Sequence, residues 1–305
     1  MNYLVTGGGG FIGTNLVKEL LKQGHQVRVI DRDPKNASFV GSAYSDIRDK
    51  GAVHAMCRGV DVIVHLAAET GVQPSIDNPR KDMSVNIEGT LNLLEAAREC
   101  NVSRFIFASS GTVLGNASPP FNESMMTRPT SPYGASKLAG EAYCSAYYHS
   151  YGLETVVLRF SNIYGPYAWH KSNLFVEFIK AALKEKPLHI YGNGRQTRDF
   201  LYVKDLVEAI ILASTAPGIG GQVFQIASGE ETSVLYLLEM MKDISLEQIA
   251  QEVEYTFELP RPGEVKRSFA DNSYAKLMLK WGPRYDLVSG MTETFKWYLR
   301  KYYYE

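Results

Sequence analysis

The sequence predicts an α/β protein built on a doubly wound parallel sheet, with a smaller C-terminal lobe. Three observations support this prediction. Short apolar runs alternate with amphipathic helical segments over the first half of the chain. A glycine-rich turn joins the first apolar run to the first helical segment. After about residue 165 the alternation gives way to longer loops, so we expect one domain over 1–165 and a second over 166–305, with some later segments returning to the first.

Five apolar runs are predicted to form strands of the sheet. Each is short and rich in apolar and β-branched residues, which is typical of strands buried on both faces. In chain order the runs are YLVTG, QVRVID, DVIVHLAA, RFIFASS and ETVVLRF. In the second lobe, a further short strand is predicted around PLHIYG, between the loop GPYAWHKSN and the Pro-rich ELPRPGE.

Helices are predicted between these runs, because apolar residues recur there at spacings of three and four. In chain order the helical segments are GTNLVKELLKQG, MSVNIEGTLNLLEAARECN and SPYGASKLAGEAYCSAYYHSYG. Connections that contain a helix are much longer than hairpin turns. They are typical of crossovers between parallel strands. We therefore expect helices on both faces of the sheet.

Charge and composition narrow the class of partner. The 305 residues carry 32 basic and 33 acidic side chains, for a net charge of −1, and 45% of them are hydrophobic. This balance shows no electrostatic footprint for nucleic acid, so a small-molecule partner is expected instead. Met1 leads directly into the first strand, and no apolar run approaches the ~18 residues of a membrane span. We expect a soluble, cytoplasmic protein with no membrane partner.

The three cysteines predict neither a disulfide framework nor a metal site. Cys57, Cys100 and Cys144 are odd in number and widely spaced, and they form no CxxC pair. Disulfide scaffolds and zinc sites require closer and more regular spacing. We expect buried, inert thiols and no bound metal.

The turn TGGGGFIG has the glycine spacing of a dinucleotide-binding loop. Gly7, Gly10 and Gly13 recur at intervals of three, after an apolar strand and at the start of an amphipathic helix. Glycine allows a tight turn, a close approach of the backbone to a pyrophosphate, and close packing of helix on strand. This combination predicts a Rossmann-type domain that binds a dinucleotide.

Asp31 predicts which dinucleotide is bound. It ends the run QVRVID, 18 residues after Gly13. A carboxylate at this point accepts hydrogen bonds from both hydroxyls of the adenosine ribose and repels a 2′-phosphate. NAD is therefore favoured over NADP, although the neighbouring Arg32 would favour NADP.

The pentapeptide YGASK places a phenol and an ammonium on one helix face. Tyr133 and Lys137 are four residues apart, so their side chains leave the helix one above the other and can act on one ligand. Taken alone, the pentapeptide favours an ordinary exposed helix face. The other motifs of the chain decide in favour of a functional pair.

Nine motifs, taken in order, resemble the extended short-chain dehydrogenase/reductase family. The resemblance is to its nucleotide-sugar dehydratases and, in particular, to its NAD-dependent nucleotide-sugar epimerases. These epimerases include enzymes of the UDP-glucose 4-epimerase type. The resemblance extends nearly from end to end. The motifs are TGGGGFIG, SDIRD, HLAAETGVQPS, NIEGTLNLLEAA, FASSGTVLG, SPYGASK, LRFSNIYGP, QTRDFLYVKDLVEAI and RPGEVKRSFAD.

The resemblance implies a set of NAD-binding and catalytic residues. Tyr133 is implied to act as a base, with its pKa lowered by the charges of Lys137 and of the oxidised nicotinamide. Ser110 is implied to stabilise the developing oxyanion. Lys137 is implied to bond the nicotinamide ribose. The cofactor site is implied to comprise Gly7, Gly10, Phe11, Ile12, Gly13, Asp31, Asp46, Ile47, Leu66, Ala67, Ala68, Asn86, Tyr133 and Lys137.

Two positions depart from the family pattern. Thr70 stands where some epimerases carry a Lys that contacts the cofactor. Leu114 stands where the family usually has Tyr, and it is expected to alter a contact near the sugar.

The second lobe is implied to bind a nucleotide sugar, with UDP as the favoured nucleotide. Arginines suit the diphosphate, an acid suits the ribose hydroxyls, and a small residue leaves room beside the sugar. His170 and Lys171 could meet a uronate carboxylate or simply be solvated. The implied substrate residues are Asn162, Asn173, Leu174, Arg198, Arg261, Glu264 and Ser268.

The stretch SSGTVLG favours one reaction within the family. Dehydratases place an Asp–Glu pair after the hydroxyl residue, and decarboxylating relatives place a Glu there, whereas this chain has Gly111 and Thr112. The sequence therefore favours 4-epimerisation of UDP-glucose, UDP-N-acetylglucosamine or UDP-glucuronate. Another 4-keto chemistry and a non-catalytic NAD-sensing role remain as alternatives. A homodimer, paired through residues 82–99 and 131–150, is also expected from the resemblance.

Overall fold

All five predicted apolar runs form parallel strands of one central sheet, which confirms the predicted fold class. The computed structural model describes residues 1–33, 42–171, 173–184, 187–260 and 265–304. In this part of the chain the sheet has seven strands. They are β1 (Asn2–Thr6), β2 (Gln26–Asp31), β3 (Ser42–Tyr44), β4 (Val62–His65), β5 (Arg104–Ser110), β6 (Thr155–Phe160) and β11 (Val223–Ile226).

The order of the strands creates a ligand-binding crevice. Across the sheet it runs β11-β6-β5-β4-β1-β2-β3, and every neighbouring pair is parallel. The chain moves outward from β1 in one direction through β2 and β3, then returns to β4 on the other side of β1. Helices that follow neighbouring strands therefore leave towards opposite faces at this point, and the carboxyl ends of β1 and β4 border an open crevice.

Two apolar cores cover the two faces of the sheet. Alternate residues of one strand belong to different cores, as the two-residue period of a strand requires. Val5 packs in one core with Leu16, whereas Leu4 packs in the other with Leu93. The helices are α1 (Phe11–Lys22), α2 (Lys50–Cys57), α3 (Val72–Asp77), α4 (Pro79–Met83), α5 (Gly89–Glu99), α6 (Pro132–Tyr151), α7 (Leu174–Lys184), α8 (Val203–Thr215), α9 (Val234–Ile249), α10 (Ser273–Leu279) and α11 (Leu287–Tyr304).

Among the residues that the structure describes, three short strand pairs lie outside the central sheet, in the later part of the chain. The run PLHIYG forms a strand, as predicted. The pairs are β7 (Asn162–Tyr164) with β10 (Phe200–Tyr202), β8 (Leu188–Tyr191) with β13 (Tyr255–Glu258), and β9 (Thr197–Arg198) with β12 (Thr232–Ser233). Strand β11 comes late in the chain and pairs with β6 at the edge of the central sheet.

One predicted helix is divided in the structure. The segment predicted as a continuous helix from Met83 begins earlier, at Pro79, and passes through a π-helical turn at Ser84–Glu88 before α5. Gly89, at the junction, packs so closely on the Ile47 side chain that a Cβ there would collide with it. Turns of this kind often mark functional sites, and this one contains Asn86.

The three cysteines form no disulfide bond in the structure. Cys57 and Cys144 are fully buried and Cys100 is half-buried, with all three thiols free. Burial raises the pKa of the Cys57 thiol to about 12, so it is unreactive near neutral pH. Among the described residues, no helix combines the length and the apolar character needed to cross a bilayer.

Candidate active site

A cleft of about 500 Å³ opens at the carboxyl ends of β1, β2, β4 and β5, where the strand order reverses. Most of the residues implied to bind the cofactor line this cleft together. They are Gly7, Gly10, Phe11, Ile12, Gly13, Asp31, Asp46, Ile47, Leu66, Ala67, Ala68, Tyr133 and Lys137. Residues from widely separated motifs thus converge on one surface.

The glycine turn has the shape that a pyrophosphate requires. Gly7 has φ +68°, and a Cβ on it would lie 2.8 Å from the Ala67 nitrogen. A Cβ on Gly13 would collide with the Gly7 carbonyl oxygen and lie 2.6 Å from Gly8 Cα. Helix α1 starts after Gly10, and no side chain of the described residues caps it. Its first N–H groups face the cleft uncapped, which suits an anion. The turn therefore fits a dinucleotide.

Asp31 is held in place at the end of β2. Its carboxylate accepts hydrogen bonds from the backbone N–H groups of Gly9 (2.9 Å) and Asp33 (3.0 Å). These bonds orient the side chain at the edge of the cleft, beside the glycine turn.

The start of α6 positions Tyr133. Ser131 caps this helix by accepting a hydrogen bond from Gly134 N at 3.1 Å, and Pro132 occupies its first turn. Tyr133 N donates to Ser75 Oγ at 3.1 Å, which ties the first turn to α3. The Tyr133 side chain therefore sits at the cleft wall, where its hydroxyl interacts with Ser110 at the end of β5.

Lys137 lies one turn further along the same face of α6. Its Nζ donates to the Ala108 carbonyl oxygen at 2.9 Å and lies 5.9 Å from the centre of the Tyr133 ring. Only 4% of this residue is exposed. The pair predicted from the spacing in YGASK is thus brought together with Ser110.

In the protein without a bound nucleotide, the pKa of Tyr133 is raised above its usual value. Burial and, to a smaller extent, the negative charge of Asp82 raise the pKa of this phenol to about 12, while the interaction with Ser110 acts in the opposite direction. Burial also lowers the pKa of Lys137 to about 8. Desolvation therefore outweighs the attraction between the two groups, and the protein alone does not provide a phenolate near pH 7.

Replacing Lys137 with Met is expected to stabilise the nucleotide-free protein by about 1–3 kcal/mol at pH 7. The pKa of Lys137 is lower in the folded state than in the unfolded state. Below pH 8 the folded protein therefore bears the full cost of the buried ammonium. Between pH 8 and the unfolded-state pKa, the folded Lys loses its proton first, and the advantage of Met shrinks as pH rises. Urea unfolding from pH 7 to 10 measures this difference.

The matched control is Lys22→Met, since that side chain is 78% exposed. It should change the free energy of unfolding by less than about 0.5 kcal/mol. Equal effects of both substitutions, or an advantage that does not change with pH, would contradict the expected cost of burying Lys137.

Asn86 does not line the cleft as expected. Its amide oxygen accepts from Glu69 N (2.8 Å), and its amide nitrogen donates to Glu69 O, Asp82 Oδ2 and Ser136 Oγ at 3.0–3.1 Å. The residue is 2% exposed. All its polar capacity is used inside the protein, so Asn86 supports the cleft wall from behind. The buried Asp82, which accepts a hydrogen bond from Asn86, was not predicted from the sequence.

A second cavity, of about 570 Å³, lies between β7, α7 and β8. Four implied substrate residues line it: Asn162, Asn173, Leu174 and Arg198. Arg198 also donates to the Val265 carbonyl oxygen at 2.8 Å. Ser268, which follows Val265 by three residues, is half-buried. Arg261 and Glu264 lie outside the described residues.

His170 and Lys171 belong to the dinucleotide cleft. Both line it, and Lys171 Nζ donates to Thr70 Oγ1 at 3.0 Å. An ammonium thus lies beside Thr70, where some epimerases are implied to carry a Lys, but it comes from a distant segment.

Leu114 lies in an apolar cluster. It is 1% exposed and packs with Val113, Phe121 and Ala227. It does not line either cavity described above. The structure therefore gives this residue a packing role.

A buried ion pair supports the floor of the cleft. Glu141, one turn beyond Lys137 on α6, accepts two hydrogen bonds from Arg159, from Nε at 2.9 Å and from Nη2 at 2.7 Å. Ser109 Oγ also donates to Glu141. Glu141 is 7% exposed and Arg159 4%. The network joins α6 to the ends of β5 and β6.

Sequence and structure comparisons point to one family. The profile of the NAD dependent epimerase/dehydratase family matches residues 3–227. A UDP-glucose 4-epimerase of Mycolicibacterium smegmatis is 34% identical over 99% of both chains. The crystal structure of UDP-glucose 4-epimerase from Thermotoga maritima with UDP-glucose superposes with a TM-score of 0.93 at 32% identity, covering 99% of this chain and 100% of that one.

A third similar protein was solved with a dinucleotide. The UDP-glucuronic acid 4-epimerase of Bacillus cereus, in complex with UDP-glucuronic acid and NAD, is 32% identical and has a TM-score of 0.90. The alignment covers 99% of this chain and 100% of that protein.

Proposed function

Since this chain belongs to the NAD-dependent epimerase/dehydratase family, whose members act on nucleotide sugars, we propose that it is a 4-epimerase of a UDP-sugar. The proposal rests on the first cleft as the cofactor site and on the second cavity as the site of the nucleotide. Tyr133, Lys137 and Ser110 are proposed to be its catalytic residues.

The first cleft is proposed to hold NAD. The turn at Gly7, Gly10 and Gly13 would cradle the pyrophosphate, and Asp31 would accept the adenosine ribose hydroxyls. NAD supplies a hydride acceptor and a positive charge when bound. Because hydride is returned in each cycle, the cofactor is expected to stay bound rather than exchange.

The proposed catalytic residues transfer the proton of the sugar C4 hydroxyl and stabilise the charge that develops on its oxygen. Tyr133 would remove the proton of the C4 hydroxyl and later return it, and Ser110 would donate a hydrogen bond to the oxygen on which charge develops. Lys137 is protonated at neutral pH, given a pKa of about 8. Its ammonium would favour the Tyr133 phenolate, against the effect of burial. Without the positive charge of the bound cofactor, the phenol, with a pKa of about 12, would be a poor base.

One observation carries the choice of epimerisation, namely the short 3₁₀ turn that follows Ser110. Gly111–Leu114 forms this turn, and the Thr112 carbonyl oxygen lies so near Gly134 that a Cβ there would be 2.7 Å away. Positions 111 and 112 therefore adjoin the residue next to Tyr133. Neither residue is ionisable, so the turn provides no acid or base for elimination of water or loss of a carboxyl group. Return of the hydride to the opposite face of a 4-keto intermediate needs no such group.

The proposed substrates are UDP-glucose, UDP-N-acetylglucosamine and UDP-glucuronate. Asn162, Asn173 and Arg198 in the second cavity are proposed to bind the UDP moiety, together with Arg261 and Glu264. Ser268 would leave room for an N-acetyl group. His170 and Lys171 line the cofactor cleft, which argues against a dedicated uronate site on that loop.

The protein is proposed to act as a homodimer through α5 and α6. Tyr143 and Tyr151 on α6 are exposed in the single chain, at 38% and 58%. Light scattering during size-exclusion chromatography measures the mass directly, and a monomer of 34.0 kDa would overturn this part of the proposal.

The test of function is incubation of the purified protein with each of the three UDP-sugars, without added cofactor, followed by proton NMR. A C4 epimer of unchanged mass is expected from at least one of them. Loss of water or net reduction would indicate a different 4-keto chemistry. No conversion of any sugar, even after addition of NAD, would overturn the proposal and favour a non-catalytic NAD-binding role.

A further inference from the structure

A cluster of charged side chains borders the Asp31 end of the dinucleotide cleft. Arg32 forms an ion pair with Glu69, and Lys81 on α4 reaches the same carboxylate oxygen at 3.1 Å. The side chain of Glu69 is 20% exposed, and those of Arg32 and Lys81 are each 50% exposed. Arg32 and Glu69 line the cleft beside Asp31.

Arg32 is at the position where an arginine would favour NADP. It immediately follows the carboxylate that selects for the ribose hydroxyls, and a guanidinium near that ribose can accommodate a 2′-phosphate. Asp31 and Arg32 therefore have opposing preferences. In the structure the guanidinium charge is compensated by Glu69 rather than left for a phosphate.

Glu69 is fixed in place by its backbone. Its N–H donates to Asn86 Oδ1 at 2.8 Å, and its carbonyl oxygen accepts from Asn86 Nδ2 at 3.0 Å. Although burial opposes this, Arg32 and Lys81 hold the pKa of the Glu69 carboxyl below its usual value. Glu69 therefore carries a full negative charge at neutral pH. A 2′-phosphate at this end of the cleft would have to displace or neutralise that charge.

We propose that Glu69 is a specificity-determining residue that keeps the cleft selective for NAD by sequestering Arg32. Asp31 recognises the ribose hydroxyls, and Glu69 removes the cation that would otherwise attract the 2′-phosphate of NADP. This inference rests on the proposed binding of a dinucleotide in the cleft. It does not depend on which sugar is the substrate.

The test is isothermal titration calorimetry of the full-length chain, freed of bound nucleotide, with NAD and NADP. In Glu69→Gln the ratio of the NADP to the NAD dissociation constant is expected to fall about tenfold, because Arg32 becomes available. In the double variant Glu69→Gln/Arg32→Ala the ratio should return to the wild-type value. Glu88→Gln removes an exposed carboxylate that does not line the cleft, and it should leave the ratio unchanged.

Two results would overturn the inference. One is an unchanged ratio in Glu69→Gln, and the other is a gain in NADP affinity that persists without Arg32, since that would indicate only the loss of a negative charge. If Glu69→Gln does not fold, Arg32→Ala alone decides the question. A sequestered Arg32 predicts no change in NADP affinity, and a loss of tenfold would show that Arg32 already serves the phosphate. Failure of the wild type to bind either dinucleotide would instead overturn the proposed function.

Discussion

Replacement of Tyr133 with Phe is expected to lower kcat by about a thousandfold, with little change in the affinity for NAD. The substitution removes the hydroxyl proposed to exchange a proton with the sugar, but it keeps the ring that packs at the cleft wall. Conversion of the preferred UDP-sugar, followed by proton NMR, gives kcat, and calorimetry gives the affinity for NAD. The interaction with Ser110 is lost as well, so Ser110→Ala should cost less than Tyr133→Phe but act on the same step.

Tyr143→Phe is the matched control, because Tyr143 belongs to the same helix and is 38% exposed. It should leave kcat within about twofold of the wild type. If Tyr133→Phe retained a tenth or more of the wild-type kcat, Tyr133 would not be the base, and the reading of YGASK would be wrong.

Glu141→Ala is expected to reduce the free energy of unfolding by about 3–5 kcal/mol. The change removes both hydrogen-bond acceptors of a buried guanidinium, so Arg159 would keep its charge in an apolar setting with no compensating carboxylate. Ser109 would lose its acceptor too. Urea unfolding followed by circular dichroism measures the loss, and the midpoint should fall markedly.

Glu154→Ala provides the comparison. Glu154 pairs with Arg104 at 3.2 Å, but its side chain is 40% exposed, and Arg104 also donates to the carbonyl oxygens of Ala213 and Ala216. We expect a loss of about 1 kcal/mol or less from this variant. Similar losses in the two variants would mean that burial does not govern the contribution of Glu141.

The fold was predictable because its determinants are local. Apolar runs such as QVRVID and RFIFASS form strands over the predicted residues, Gln26–Asp31 and Arg104–Ser110. The convergence of the glycine turn with Asp31 and Ala67 follows from the strand order, since parallel strands bring their carboxyl ends to one edge. Four-residue spacing on a helix was likewise enough to place Tyr133 and Lys137 on one face.

Features that depend on tertiary contacts were not predictable in the same way. The pKa of Tyr133 rises because the folded chain buries it, and nothing in YGASK reports that burial. Lys171 reaches Thr70 across 101 residues, and the pairing of Arg32 with Glu69 joins the ends of two different strands. The π-helical turn around Asn86 is invisible to periodicity, because the apolar residues on both sides keep helical spacing.

Strand β11 is synthesised long after its neighbour β6, and this order affects how the chain folds on the ribosome. Strand β6 emerges long before Val223–Ile226, so a nascent chain that has completed β1 to β6 still exposes the unpaired edge of β6. Open edges are templates for intermolecular pairing, and pairing between distant segments slows folding. We expect the nascent protein to depend on chaperones during this interval. The matched family profile ends at residue 227, just after the strand that closes the edge.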